Sequence, residues 1–186
     1  LPEPSPAKLA AVGSVERHAR DLEQLSDRIW AYAETALREH RSAAALADYA
    51  EKQGFRVQRG VAGMPTAFTA TFGRGRPVIG VMGEYDALPG LSQKALPEKA
   101  PLVPGAAGHG CGHNLFGAAS LGAAIAIKEQ IAAGKLEGTV IFFGTPAEED
   151  YSGKVYMARD GLFDGVDAVL AWHPSDETQA DMTSSQ

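Results

Sequence analysis

Short apolar segments alternate with helical segments through the second half of the chain, and this alternation restricts the fold more than any other feature. Residues 77–82, 138–144 and 167–172 form strand-like apolar runs. Between the first two, residues 114–133 are rich in alanine and glycine, which allows a helix to approach a sheet closely. A further short helix is predicted over residues 153–160. This order is typical of an α/β domain, so we expect a mostly parallel sheet flanked by helices.

The first half of the chain adds two helices and two strands to this prediction. Apolar residues at helical spacing predict amphipathic helices over residues 14–37, with Ser14 as N-cap, and over residues 42–52. Segments rich in alternating or β-branched residues predict strands over residues 55–59 and 66–72. Five strands are therefore predicted along the chain.

The N-terminal proline pattern and the polar C-terminal segment set the expected domain limits. We assign residues 1–13 to an extended arm, 14–174 to one α/β domain and 175–186 to a linker. The compartment stays open, because a start without methionine fits either a processed, periplasmic or secreted protein or a piece of a longer cytoplasmic one.

Length and charge limit the class of partner. The 186 residues carry a formal net charge of −6 and no basic stripe, so we expect small-molecule ligands and no nucleic acid. The longest apolar run, residues 121–127, is interrupted by small residues and is far too short to cross a bilayer. No membrane association is expected.

The segment GHGCGHN, residues 108–114, places the only cysteine two positions from a histidine. Thiolate and imidazole both bind zinc and related cations, and a glycine-rich turn lets Cys111 and His113 face one point. Either residue alone is more often a buried structural residue, but their spacing favours half of a metal site. The helix that follows is expected to lower the pKa of the Cys111 thiol. His109 is left outside this set, as a loop residue or a partner of a ligand.

Acidic residues and a histidine follow the three apolar strands: Glu84 and Asp86 after the first, Glu148 and Glu149 after the second, and His173 after the third. Because the carboxyl ends of parallel strands share one edge, we expect these side chains to meet the cysteine and histidine there. One of the adjacent glutamates would bind metal while the other takes a proton from an activated water. Asp86 either forms a turn or orients a ligand.

Four motifs together resemble the two-metal aminoacylase and carboxypeptidase family, and within it the amidohydrolase subgroup that uses a cysteine ligand. The motifs are GEYDAL at 83–88, GHGCGHN at 108–114, PAEE at 146–149 and WHP at 172–174. The resemblance, which runs from about residue 21 to residue 174, implies a fold of the zinc-exopeptidase type. It also implies two divalent ions, manganese or zinc, and hydrolysis of the amide bond of an N-acyl or N-aroyl amino acid.

The resemblance also implies roles for individual residues. The metal ligands would be Cys111, His113, Glu149 and His173, and Glu148 would be the general base; Asp86 is kept as a second candidate catalytic residue. Asn114 stands where many members of the subgroup have aspartate.

Members of that family are longer than this chain. The resemblance implies a catalytic domain cut before an inserted lid or dimerisation domain, with one further histidine ligand beyond residue 186. An exposed sheet edge would favour a homo-oligomer. Two alternatives stay open: a catalytically incompetent fragment that binds metal, and an aminopeptidase or dipeptidase of the same clan that takes a dipeptide-like substrate.

Overall fold

The computed structural model describes residues 3–177 and shows a five-stranded sheet with helices on both faces. In chain order, the strands are β1 (Arg56–Arg59), β2 (Phe68–Arg74), β3 (Val78–Gly83), β4 (Gly138–Gly144) and β5 (Ala168–Leu170). The helices are α1 (Pro6–Tyr32), α2 (His40–Lys52), α3 (His113–Ala132), α4 (Glu148–Tyr151) and α5 (Gly153–Arg159). Across the sheet the strands lie in the order β1-β2-β4-β3-β5. The predicted α/β class is confirmed.

The sheet is mixed, so the prediction of mostly parallel pairing holds for only part of it. Strand β3 pairs in parallel with both β4 and β5. Strands β1 and β2 pair antiparallel, and β2 runs antiparallel to β4. The connection from β1 to β2 is too short for the crossover that a parallel pair requires, which explains why these two strands are antiparallel. The parallel strands are the ones that carry the candidate site.

The first helix begins earlier and ends earlier than predicted. Ser5, and not Ser14, is its N-cap, and Pro6 occupies the first helical position. Residues 6–13, predicted to be an extended arm, are therefore helical. Proline is favoured in the first turn of a helix. The alternating prolines at positions 2, 4 and 6 were instead interpreted as an extended segment. The helix ends at Tyr32, where Ala33 adopts a left-handed conformation.

Strand β4 divides the core into two layers because its side chains alternate between the faces of the sheet. Val140 and Phe142 pack beneath α1, α2 and α3. Phe143, on the opposite face, packs in a smaller cluster with Met157 of α5. The predicted buried strand thus lies in the middle of the sheet, covered on both sides.

Helix α3 packs closely against the end of β3, as its small residues predict. A Cβ atom added to Gly117 would lie 2.6 Å from the backbone oxygen of Glu84, and one added to Gly122 would lie 2.7 Å from Leu22 of α1. Only glycine permits the approach to the Glu84 backbone, whereas the flexible Leu22 side chain is able to shift. The N-terminus of α3, which carries His113, is therefore held against the residues that follow β3.

Within residues 3–177, α3 is also the one helix long and apolar enough to pass a membrane-span test, although the sequence predicts no membrane association. Half of its tested stretch is buried inside the fold. It lies between α1 and the sheet, as the core helix of a globular domain does.

Strand β5 forms an open edge of the sheet and is shorter than predicted. All three of its residues are exposed, and Trp172 beyond it is 50% exposed. The Asp167 carboxylate attaches this segment to β3 by accepting a hydrogen bond from the Val78 amide, at 2.7 Å. Most of the predicted linker, residues 175–186, lies outside the described residues.

Candidate metal centre

The carboxyl ends of β3, β4 and β5 meet the N-terminus of α3 at one edge of the sheet. Each predicted site residue lies at this edge: Asp86 after β3, Glu148 and Glu149 at the start of α4 after β4, His173 after β5, and Cys111 and His113 at the start of α3. The structure brings all six together around the imidazole of His113. Parallel pairing of three strands is sufficient for this, because their ends share one side.

His113 lies at the centre of the site and is fully buried. Its Nδ1 lies 2.9 Å from Asp86 Oδ1 and 3.1 Å from the Asp86 backbone oxygen, so Nδ1–H donates to Asp86. The other ring nitrogen, Nε2, lies 2.9 Å from Glu84 Oε2, in an orientation that makes no hydrogen bond. It has no hydrogen-bond partner within the described residues. A buried imidazole nitrogen that faces a carboxylate without a hydrogen bond, on a ring whose other nitrogen is fixed by a second carboxylate, is typical of a metal ligand.

Cys111 and His173 form a second pair of donors beside this imidazole. Cys111 Sγ lies 3.4 Å from His173 Nε2, and donor atoms of Cys111, His113 and His173 all lie within 4.8 Å of one another. His173 Nδ1 donates to the Pro174 carbonyl at 2.9 Å, which leaves Nε2 free of a proton in the neutral ring. A sulfur and a nitrogen bound to one zinc ion at a tetrahedral angle are roughly 3.5 Å apart. The pair is spaced to hold such an ion.

Glu84 belongs to a second group of donors and was not among the predicted ligands. Donor atoms of Glu84, His113 and Glu148 lie within 4.8 Å of one another, so this group is also able to hold a cation. The second oxygen of Glu84 pairs with the ammonium group of Lys154. Its position directly after a buried strand, two residues before Asp86, was the signal in the sequence. Nothing in the sequence indicates the contact with Lys154.

Negative charge dominates the electrostatics of the site. Burial raises the pKa of the Cys111 thiol to about 11, and the neighbouring carboxylates, Glu149 foremost, add to the effect. The predicted lowering by helix α3 is therefore wrong, because burial and, after it, the carboxylates of other elements outweigh the helix terminus. Burial by itself lowers the pKa of His113, but the carboxylates of Asp86 and Glu84 raise it to about 10. The site thus attracts positive charge, and its donor set fits a divalent cation.

Two buried carboxylates hold the segment that carries the adjacent glutamates. Glu39 Oε1 accepts a hydrogen bond from the Ala147 amide at 2.8 Å, and Asp86 Oδ2 accepts one from the Glu149 amide at 3.0 Å. Ala147 lies in the left-handed region, at φ 57°, which a non-glycine residue rarely adopts without support. Glu39 is fully buried, and burial raises its pKa. Sequence reasoning missed Glu39, which stands among charged residues before α2.

His109 and Asn114 face away from the metal centre and attach it to α1. The Nε2 of His109 lies 3.0 Å from the Ile29 carbonyl oxygen, and the amide group of Asn114 donates to Ser26 Oγ at 3.0 Å. Burial lowers the pKa of His109 to about 4, so its ring is neutral. Leaving His109 outside the ligand set agrees with this geometry.

Comparison with known proteins gives consistent matches. The sequence profile of peptidase family M20/M25/M40 matches residues 80–184. The chain is 48% identical to one of the subunits of p-aminobenzoyl-glutamate hydrolase from Escherichia coli, over 87% of this chain and 34% of that protein. It is 32% identical to the Xaa-Arg dipeptidase of Homo sapiens, over 93% of this chain and 40% of that protein.

A solved structure also matches. The YxeP protein of Bacillus subtilis, described as a dinuclear metal binding peptidase from the M20 family, superposes with a TM-score of 0.72 and 29% identity, covering 85% of this chain and 43% of its own. The chain spans between a third and two fifths of the length of the two curated relatives named above.

Proposed function

Since the chain belongs to peptidase family M20/M25/M40, we propose that its protein hydrolyses the amide bond of an N-acyl or N-aroyl amino acid, using two divalent cations. The observation that carries this proposal is the convergence of one thiol, two imidazoles and several carboxylates around Nε2 of His113. The similarity to a p-aminobenzoyl-glutamate hydrolase supports an aroyl amino acid as substrate. It gives no support to a catalytically incompetent, metal-binding fragment.

Four residues would hold the cations: Cys111, His113, Glu149 and His173. A thiolate and two imidazoles suit zinc, whereas carboxylates also suit manganese, so both metals remain part of the proposal. When bound, the ions supply Lewis acidity toward water and the amide carbonyl. A hydrogen bond to Asp86 fixes the orientation of the His113 ring, and one to the Pro174 carbonyl fixes that of His173.

Glu148 would be the general base. It is the first residue of α4 and partly exposed, so it faces both the site and solvent. Its carboxylate would take a proton from the attacking water and pass it to the leaving amine. Asp86 contacts His113 and the Glu149 amide and is buried beneath them. We therefore assign Asp86 a positioning role.

The substitution Glu148→Gln in the full-length protein tests the assignment of the base. We expect turnover of p-aminobenzoyl-glutamate to fall by about 10²–10⁴-fold while the metal content is unchanged. Asp150→Asn, at an exposed position two residues away, is the matched control and should keep full activity. Undiminished turnover in the Glu148 variant would show that another group is the base.

Dipeptide hydrolysis is a second candidate, supported by the lower similarity to an Xaa-Arg dipeptidase. The same donors would perform the same chemistry on a substrate with a free amino group. Comparing p-aminobenzoyl-glutamate with dipeptides that end in arginine, on one preparation of the full-length protein, separates the two. Preference for the dipeptides would replace the acyl amino acid proposal.

We also propose that the protein is a homo-oligomer. The open edge of β5 and the exposed side chains of Leu170 and Trp172 favour association with another copy. Light scattering on the full-length protein tests this, and a monodisperse monomer would contradict it.

A further inference from the structure

We propose that Glu84 binds one of the two cations together with His113, at a position separate from the one between Cys111 and His173. This inference rests on the proposed metal-dependent function. The motif resemblance assigns the ligands without Glu84, so the structure adds a ligand to that set.

The distance between Glu84 and His113 supports a shared ion. Glu84 Oε2 and His113 Nε2 are 2.9 Å apart, yet their orientation makes no hydrogen bond. Two donors that each lie about 2.1 Å from one ion, at about a right angle, are roughly 3 Å apart. Both side chains are buried, the imidazole at 0% and the carboxylate at 9% exposure. Buried charged groups are stable only beside opposite charge, and a cation between the carboxylate and the imidazole would provide that charge.

The surrounding structure fixes the orientation of Glu84. Lys154 pairs with Oε1, which leaves Oε2 directed at His113. On the backbone side, Gly117 of α3 lies so close to the Glu84 carbonyl that a larger residue would not fit. The contact between α3 and the end of β3 thus sets the position of the carboxylate before any ion arrives, which is the arrangement of a preorganised ligand.

Glu148 is the rival for this position, because its carboxylate also lies within 4.8 Å of donor atoms of Glu84 and His113. It is partly exposed and begins the short helix α4, whereas Glu84 is buried and held by Lys154. The other rival is that Glu84 stays bound to a protonated His113 and contacts no ion. The number of ions bound distinguishes all three.

The test is metal stoichiometry of the full-length protein and of two matched variants, Glu84→Gln and Glu148→Gln. Each is dialysed against zinc or manganese alone and measured by elemental analysis and calorimetry. We expect about two ions per chain in the unmodified protein and in Glu148→Gln, and about one in Glu84→Gln. With cobalt as probe, the thiolate-to-cobalt absorption from Cys111 should persist in Glu84→Gln, because the ion that remains contacts the sulfur. Two ions with unchanged affinity in Glu84→Gln would overturn the inference.

A second variant keeps the test decisive if Glu84→Gln does not fold. Glu84→Asp retains the carboxylate but shortens it by one methylene, so it should keep two ions and bind the second one roughly tenfold or more weakly. Unchanged affinity there would also count against the inference. If the unmodified protein binds no divalent ion, the proposed function fails as well. If it binds two and hydrolyses its substrate while Glu84→Gln also binds two, only this inference fails.

Discussion

The two halves of the metal centre differ in how firmly the protein holds them. The inner half, Glu84, Asp86 and His113, is buried at the ends of β3 and at the start of α3. Each of these side chains contacts at least one charged partner there. The outer half, Cys111 and His173, is joined by a single side-chain contact, and His173 is exposed.

The position of each half in the sheet explains the difference. Strand β3 lies between β4 and β5, whereas β5 is an edge strand of three exposed residues. The ion pair between Arg76 and Asp167 helps to hold that edge, but an exposed pair of this kind contributes little. The inner half is therefore organised by the fold, whereas the outer half would gain more from a cation that joins the sulfur to the imidazole of His173.

The largest expected effect is on the pH dependence of metal affinity, to which each half contributes one proton. The pKa of His113 is about 10 and that of Cys111 about 11, so both are protonated in the metal-free site at neutral pH. Because filling both positions of the centre displaces both protons, the logarithm of the overall affinity for two cations should rise by about two per pH unit between pH 7 and 9. Calorimetry on the full-length protein measures this slope.

The substitution Cys111→Ser sharpens that prediction. The serine hydroxyl keeps its proton, so the slope should fall to about one, and the remaining pH dependence then belongs to the inner half. A slope below one in the unmodified protein would mean that Cys111 and His113 are already deprotonated without metal. The prediction that each half of the centre releases a proton would then be wrong.

The second prediction compares the halves through stability without metal. Asp86→Ala would leave the Nδ1–H of His113 and the Glu149 amide without their partner in the core, at a cost of roughly 2–5 kcal/mol. His173→Ala, in the exposed outer half, should change the free energy of unfolding by less than about 1 kcal/mol. Denaturant unfolding of the metal-free, full-length variants gives both values. Equal losses would show that the two halves are equally organised.

The convergence of the predicted residues follows from periodicity. Apolar runs predict the strands, and the rule that parallel strands end on one side brings Glu149 and His173 to the same edge. Only the parallel part of the sheet is needed for this argument. The antiparallel placement of β1 and β2 therefore did not disturb the predicted site.

Contacts between elements far apart in the chain could not be predicted in the same way. The pairing of Lys154 with Glu84 depends on how α5 folds back over the end of β3, and the contact of Glu39 with Ala147 joins positions 108 residues apart. The predicted direction of the Cys111 pKa shift was wrong for the same reason. Local reasoning considered one helix terminus, whereas burial of the thiol and, after it, the carboxylates of α4 and of Glu84 raise the pKa.

The third prediction concerns Glu39, which lies outside the metal centre and holds the segment before Glu148 and Glu149 by a hydrogen bond to Ala147. Glu39→Ala removes the acceptor of the Ala147 amide and leaves that buried N–H unpaired, which should cost about 1–3 kcal/mol. Glu39→Gln keeps an oxygen at the same place and should cost less than about 1 kcal/mol. Chemical denaturation measures both. Equal losses in the two variants would indicate that the charge of Glu39, and not its hydrogen bond, matters for stability.

The smallest expected effect concerns Tyr85, which helps to orient the side chains of Glu84 and Asp86. Tyr85, which stands between Glu84 and Asp86, packs in the hydrophobic core. Its hydroxyl donates to the Thr66 carbonyl at 2.6 Å in a fully buried position. Tyr85→Phe should therefore cost about 1 kcal/mol of unfolding free energy, because it leaves that carbonyl unpaired while the ring still fills its place.

The exposed Tyr151 offers the matched control for this substitution. Tyr151→Phe, at a side chain that is 55% exposed, should have no measurable effect on stability. Because the phenylalanine ring still anchors position 85, metal affinity should be unchanged in both variants. A clear loss of metal affinity in Tyr85→Phe alone would mean that the hydrogen bond to Thr66, and not the packing of the ring, keeps Glu84 and Asp86 directed at His113.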